Sequence, residues 1–284
     1  TQLVSLVVAS AISFASYGDT SVWKVSNKDD HIYIGGTVHI LPESAFPLPE
    51  QFEQAYKKSD AIALEVPLPD PTDQQAQMAM MQAMAYKDGR TLTDVLSAET
   101  YQSLADYLAE NGMAIEQLKG FKPGLMSVML MAVELQKAQL AGEGVDAYFA
   151  KQQQADKKSA EYLEDMAFQI QLLSSMGEGS EDDFIKLTLS QMSEYKPMFE
   201  KSLKAWREGD SEQLFNIMLK PMLDADPKSY KTLMTDRNKN WIPKIEAMFT
   251  DQDKEFVLVG AGHLVGPDNV LALLKAKGYT IEQL

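Results

Sequence analysis

The sequence predicts an α/β fold (in the broader sense α+β): a central mixed β-sheet built from the N- and C-terminal segments, carrying a large helical insertion between them. Three observations predict it. Short apolar runs of strand character stand near the two ends, Ile32-Tyr33-Ile34, Ala61-Ile62-Ala63-Leu64 and Phe256-Val257-Leu258-Val259. Nearly everything from residue 73 to about 249 has helical period instead. Two terminal runs also end alike, in Gly36-Thr37-Val38-His39 and Gly260-Ala261-Gly262-His263.

Residues 21–25 and 31–38 flank the polar turn Asn27-Lys28-Asp29-Asp30 and read as a hairpin. Proline-rich residues 41–49 lead into a helix over 48–58. Residues 61–66 read as a buried strand, ended by Pro67, Pro69 and Pro71, which cannot continue a central ladder. Gly89, Gly112, Gly120-Phe121-Lys122-Pro123, Gly142-Glu143-Gly144, Gly177-Glu178-Gly179 and Asp226-Pro227 punctuate the helical stretch. Within it, residues 159–164 read as a further strand before a helix over 165–175. Residues 255–259, a helix over 267–277 and residues 279–281 form a closing β-α-β unit. The division is thus a single domain over 19–284, with sheet parts at 21–67, 158–164 and 255–284 and a mainly helical insertion at 72–249.

Residues 3–15 are uncharged, apolar and rich in small residues, which reads as the hydrophobic region and cleavage zone of a secretory signal within residues 1–18. The expectation is a periplasmic or secreted protein. The stretch is too short to span a bilayer, and no later run reaches transmembrane length. A net charge of −15 with no basic stripe argues against nucleic acid as a partner. The 284 residues contain no Cys, so disulfides and thiolate ligands are excluded.

The chain has three His. Glycine lets the backbone turn sharply as a strand leaves the sheet, so His39 and His263 are expected at the rim, where open α/β sheets bind ligands. On adjacent strands they would face one spot and form a candidate metal site. His31 opens a strand after a turn and is expected to be exposed and uninvolved. Glu65 falls near the end of an otherwise apolar strand, where a carboxylate needs a counter-charge, either a metal or an Arg. Glu164 ends its own candidate strand in the same way. Two His with one or two carboxylates suit Zn, Mn, Co or Fe and can activate water, so hydrolysis is the simplest reaction class. No His-Glu-x-x-His, P-loop or Gly-x-Ser-x-Gly run is present.

Gly36-Thr37-Val38-His39-Ile40-Leu41, Ala63-Leu64-Glu65, Gly144-Val145-Asp146, Leu163-Glu164 with Gln169, Arg237-Asn238, and the run from Val259-Gly260 through His263 to Asp268 resemble the ordered motifs of the TraB/PrgY/GumN family, which includes the TIKI proteases. The resemblance implies a metal-dependent, protease-like hydrolase acting on a peptide or protein. It implies His39 and His263 as ligands, Glu65 and Glu164 as ligands or bases, and Arg237 and Asn238 as oxyanion or carboxylate contacts. Many relatives carry Thr and acidic residues after the Leu-Glu pair. Here Asp165-Met166-Ala167-Phe168-Gln169 follows, so that helix is expected to contribute packing. The alternative reading is a non-catalytic haem- or peptide-binding protein of related architecture. A third is an idle relative that works through its helical insertion. Methionines such as Met78, Met80, Met81, Met126 and Met129 have helical spacing and apolar neighbours, which suits core or groove packing better than copper.

Overall fold

The computed structural model describes residues 19–68, 72–250 and 252–284. The expected signal segment, with Pro69 and Pro71, lies outside them. Among the described residues, six strands form one mixed sheet: β1 (Val22–Asn27), β2 (Asp30–Thr37), β3 (Ala61–Leu64), β4 (Ser159–Tyr162), β5 (Glu255–Gly260) and β6 (Thr280–Gln283). Their order is β4-β3-β5-β2-β1-β6. Strands β4, β3, β5 and β2 run parallel, while β1 is antiparallel to both β2 and β6.

The two strands that lead into the Gly-x-x-His turns are neighbours, with Thr37 opposite Gly260. The final strand is different from the simplest β-α-β expectation. Strand β6 does not pair with β5 but crosses to the edge beyond β1. The helix before it is Val270–Ala276 rather than 267–277, because the chain turns through Gly266 and Asp268 at positive φ and Asn269 caps the helix. The first helix likewise begins at Glu50 instead of residue 48.

Parallel strands are buried on both faces, which is why β5 reads as an unbroken apolar run. Phe256 and Leu258 point into a core with Phe52, Phe149 and Trp206. Val257 and Val259 alternate to the other face, against Trp241, Ile245 and Leu274. A third core, including Leu104, Leu108, Met126 and Leu130, holds helices of the long middle segment together. The helix Glu181–Arg207 joins the layers: Ile185 and Met192 pack in the third core, Ala205 and Trp206 in the first. Trp206 also donates its indole N–H to the Gly36 carbonyl at 2.6 Å, tying this helix to β2 beside the first turn.

Candidate active site at the carboxyl edge of the sheet

Four parallel strands put their carboxyl ends at one edge, and the chain leaving each delivers a predicted residue. In sheet order these are Glu164 after β4, Glu65 after β3, His263 after β5 and His39 after β2. Strands β3 and β4 stop two residues before the expected ends, so Glu65 and Glu164 lie just beyond them. The two chains stay side by side nonetheless. Leu163 N–H donates to Leu64 O at 2.9 Å and Glu164 N–H to Glu65 O at 2.7 Å, which lays the two carboxylates together.

Their counter-charge is Arg237, in the first turn of the helix Asp236–Ala247, which follows a π-helical turn over Lys231–Thr235. Its side chain is only 8 % exposed. Its Nε and Nη2 donate to the two oxygens of Glu164 at 2.8 and 2.9 Å. Nη2 also donates to Glu65 Oε2 at 2.7 Å, and Nη1 reaches His263 Nε2 at 2.9 Å. The guanidinium fork suits this planar, multi-oxygen contact. Trp241 adds an indole N–H to Glu164 Oε1 at 2.9 Å.

Arginine has no lone pair to accept with, so His263 Nε2 must be the acceptor and the ring is neutral. Its Nδ1–H then donates to Asn238 Oδ1 at 2.6 Å, while Asn238 Nδ2 donates to the Asp268 carbonyl at 2.9 Å. Burial is the main force against an imidazolium here. Arg237 and His39 oppose it too, and Glu65 does not compensate, so the pKa falls to about 3. Glu65 moves the other way. Burial works against its charge, but the cations of Arg237 and His39 and the Gly260 N–H, the last at 2.7 Å, hold its pKa down at about 2. Gln169 donates to Glu65 Oε2 at 3.1 Å, so the helix Met166–Ser174, expected only to pack, also serves this carboxylate.

His39 stands apart, with 65 % of its side-chain surface open. Its Nδ1 bonds Asp146 Oδ2 at 2.8 Å, and Thr37 donates to Asp146 Oδ1 at 2.6 Å. Desolvation opposes a charge on His39, but Asp146 outweighs it, aided by Glu65, and raises the pKa to about 9. Because the outer edge of the ring is open to water, the Asp146 contact rather than burial governs its state. Asp146 and Thr37 were not singled out from the sequence as site residues. The signal for Asp146 was the Gly-Val-Asp run: Gly144 lies against the His39 carbonyl, where a Cβ would overlap it, and Val145 N–H donates to Val38 O at 3.0 Å. That close approach carries Asp146, in the first turn of Val145–Asp156, to the imidazole.

His31 is half-buried rather than exposed, and sits at the other end of β2 against Tyr33. Gly260 faces three of these side chains. A Cβ there would stand 3.2 Å from Glu65 Oε1, 3.5 Å from His39 Nε2 and 3.7 Å from His263 Cδ2. The bare face of this glycine is therefore a small cradle between three predicted residues. Among the described residues no group of three or more His, Asp or Glu side chains is arranged to hold an ion. The four-ligand set His39, Glu65, His263 and Glu164 is accordingly not assembled as such, because Arg237 takes both oxygens of Glu164 and the Nε2 of His263. The residues that do fit a divalent ion are His39, whose Nε2 makes no hydrogen bond among the described residues, and Glu65, whose Oε1 lies beside the cradle.

Fold and site define an α/β protein with a cluster of histidine, carboxylate and arginine side chains at the carboxyl edge of its parallel strands. The chain belongs to the TraB/PrgY/gumN family, whose profile matches residues 21–283. It is similar to metalloprotease TIKI1 of Danio rerio, 22 % identical over 311 aligned residues, covering 92 % of this chain and 62 % of that protein. It is also similar to metalloprotease TIKI2 of Xenopus tropicalis, 23 % identical over 308 aligned residues, covering 88 % and 57 %. The chain thus spans about three-fifths of the length of these relatives. No solved structure gives a significant match.

Proposed function

We propose that the chain is a metal-dependent hydrolase that cuts peptide bonds, exported to the periplasm or secreted. The observation that carries this reading is the convergence of His39, Glu65 and His263 on the bare face of Gly260. The similarity to two proteins named metalloproteases supports it, and the apolar residues 3–15 support export.

His39 Nε2 and Glu65 Oε1 would hold the ion. Bound there, a divalent cation would polarise the scissile carbonyl and make a water acidic enough to attack near neutral pH. Asp146 holds Nδ1–H of His39, which fixes the tautomer that leaves Nε2 as a donor; carboxylate-oriented histidine is the usual arrangement around such ions. Glu65, held ionised by its neighbours, is suited to binding a cation more than to taking up a proton. Glu164 is best placed to position Arg237, and Asn238 to position His263. An Arg237 N–H released from His263 would donate to the negative carbonyl oxygen of a tetrahedral intermediate.

The test is elemental analysis of protein purified without chelator, wild type beside the His39→Ala/His263→Ala double variant, followed by peptide-library cleavage. Near-stoichiometric metal in the wild type alone, together with cleavage that Glu65→Ala abolishes and His31→Ala spares, is expected. Absence of metal in both proteins even after loading would overturn the reading.

A further inference from the structure

Beside the His39 turn lies a cavity of about 730 Å³ to which no role has been given. This is within the roughly 300–1,000 Å³ of ordinary ligand sites. Its walls include Leu41, Phe46, Gln136, Gln139, Ala141 and Tyr148, with Glu43 and Glu143 also contributing. The wall and the active-site turn are made by the same two stretches of chain. Gly144 lies on the His39 carbonyl and Gly142 on the Leu41 carbonyl, so residues 142–144 run directly against residues 39–42. Leu41, at the cavity, follows His39 by two residues.

We propose that the cavity is a substrate subsite that takes a large apolar side chain of an extended peptide together with a neighbouring Lys or Arg; this rests on the peptide hydrolase reading. Three observations point to that ligand. The half-buried rings of Phe46 and Tyr148 give the cavity an apolar wall for the side chain. The amides of Gln136 and Gln139 line it without a side-chain hydrogen bond among the described residues, and are free to pair with peptide backbone. Glu43 is exposed and has no ion-pair partner among the described residues, whereas Glu143 is paired with Lys151 at 2.6 Å. The free charge at the cavity is therefore negative and calls for a cationic residue in the ligand.

Gln139 supplies a separate argument. It has φ +58° just past the helix Pro123–Lys137, where its N–H bonds the Gln136 carbonyl at 3.0 Å and Leu140 N–H bonds the Leu135 carbonyl at 2.8 Å. Glycine takes such a helix-ending position without strain. A long amide in its place is costly to the fold and faces the cavity, which is the pattern of strain kept for a binding role.

The probe is a fluorescein-labelled, C-terminally amidated peptide Ala-Ala-Phe-Lys-Ala-Ala, titrated by anisotropy with the full chain. Saturable binding is expected, about tenfold weaker for Ala141→Trp, which fills the cavity, and for a peptide with Glu in place of Lys. Glu43→Gln should remove most of that Lys preference. Gln139→Gly should weaken binding while raising Tm by about 2 °C, since it relieves the strained residue. A merely structural Gln139 would not separate the two readouts. Binding that follows these variants without any cleavage would leave the subsite standing and the hydrolase reading fallen. Cleavage indifferent to them would do the reverse. No binding to the wild type, or binding unchanged by Ala141→Trp and Glu43→Gln, overturns the subsite.

Discussion

Replacing Arg237 by Met keeps most of the stem and removes the guanidinium. In the folded protein that cation is held by Glu164 at 2.8 and 2.9 Å, by Glu65 at 2.7 Å and by His263 at 2.9 Å. The substitution leaves two carboxylates, each 6 % exposed, without their cation. Breaking a buried ion pair by removing one partner costs about 3–5 kcal/mol. At about 2–4 °C per kcal/mol for a chain of this size, the melting temperature should fall by about 10 °C at pH 7. Adding Glu65→Gln and Glu164→Gln to Arg237→Met removes the orphaned charges and should restore more than half of the loss. The pH dependence follows from Glu65, whose pKa drops from 4.5 to about 2 on folding. A lowered carboxylate pKa stabilises the fold above the unfolded value and loses that stabilisation as pH falls through the folded one. The wild type should therefore lose roughly 3 kcal/mol between about pH 5 and pH 2 on this account, and Arg237→Met should lose much less. Urea unfolding at pH 7 and pH 3 reads both effects. An Arg237→Met protein melting within about 2 °C of wild type at pH 7 would refute the argument that Arg237 is the counter-charge.

Other expectations concern the two histidine turns. In metal-free protein the His39 pKa, raised to about 9, should fall by more than one unit in Asp146→Asn, followed by the imidazole proton resonances in NMR. A raised pKa means the His39–Asp146 contact stabilises the fold below about pH 6.5 and ceases to do so as pH passes 9; thermal melts of the wild type should fall across this window and those of Asp146→Asn should not. Gly260→Ala should fold at a cost of about 1 kcal/mol, since its Cβ presses on the Glu65 Oε1 at 3.2 Å, and should lose metal and activity because it fills the cradle. Gly144→Ala places a Cβ on the His39 carbonyl and should cost stability as well as activity, which calorimetry distinguishes from the Gly260 result.

The sequence by itself determined the strands, because β-period and unbroken apolar runs report burial on one face or two, and it marked His39, His263, Glu65 and Glu164 through the local chemistry of strand ends. It also showed that Glu65 needed a counter-charge. Which cation answers was not local information. Arg237 lies 172 residues from Glu65 and 73 from Glu164, and only the docking of its helix against the sheet edge brings the guanidinium between them. The same holds for Asp146, 107 residues from His39, whose approach depends on Gly144 lying flat on the His39 carbonyl, and for Gln169, which looked like packing because nothing nearby in sequence shows that its amide faces Glu65. The crossing of β6 to the far edge is likewise decided by which edge strand remains unpaired. Periodicity and composition report the environment of a residue along its own element, whereas hydrogen-bond partners depend on distances between elements, and those exist only once the layers have packed.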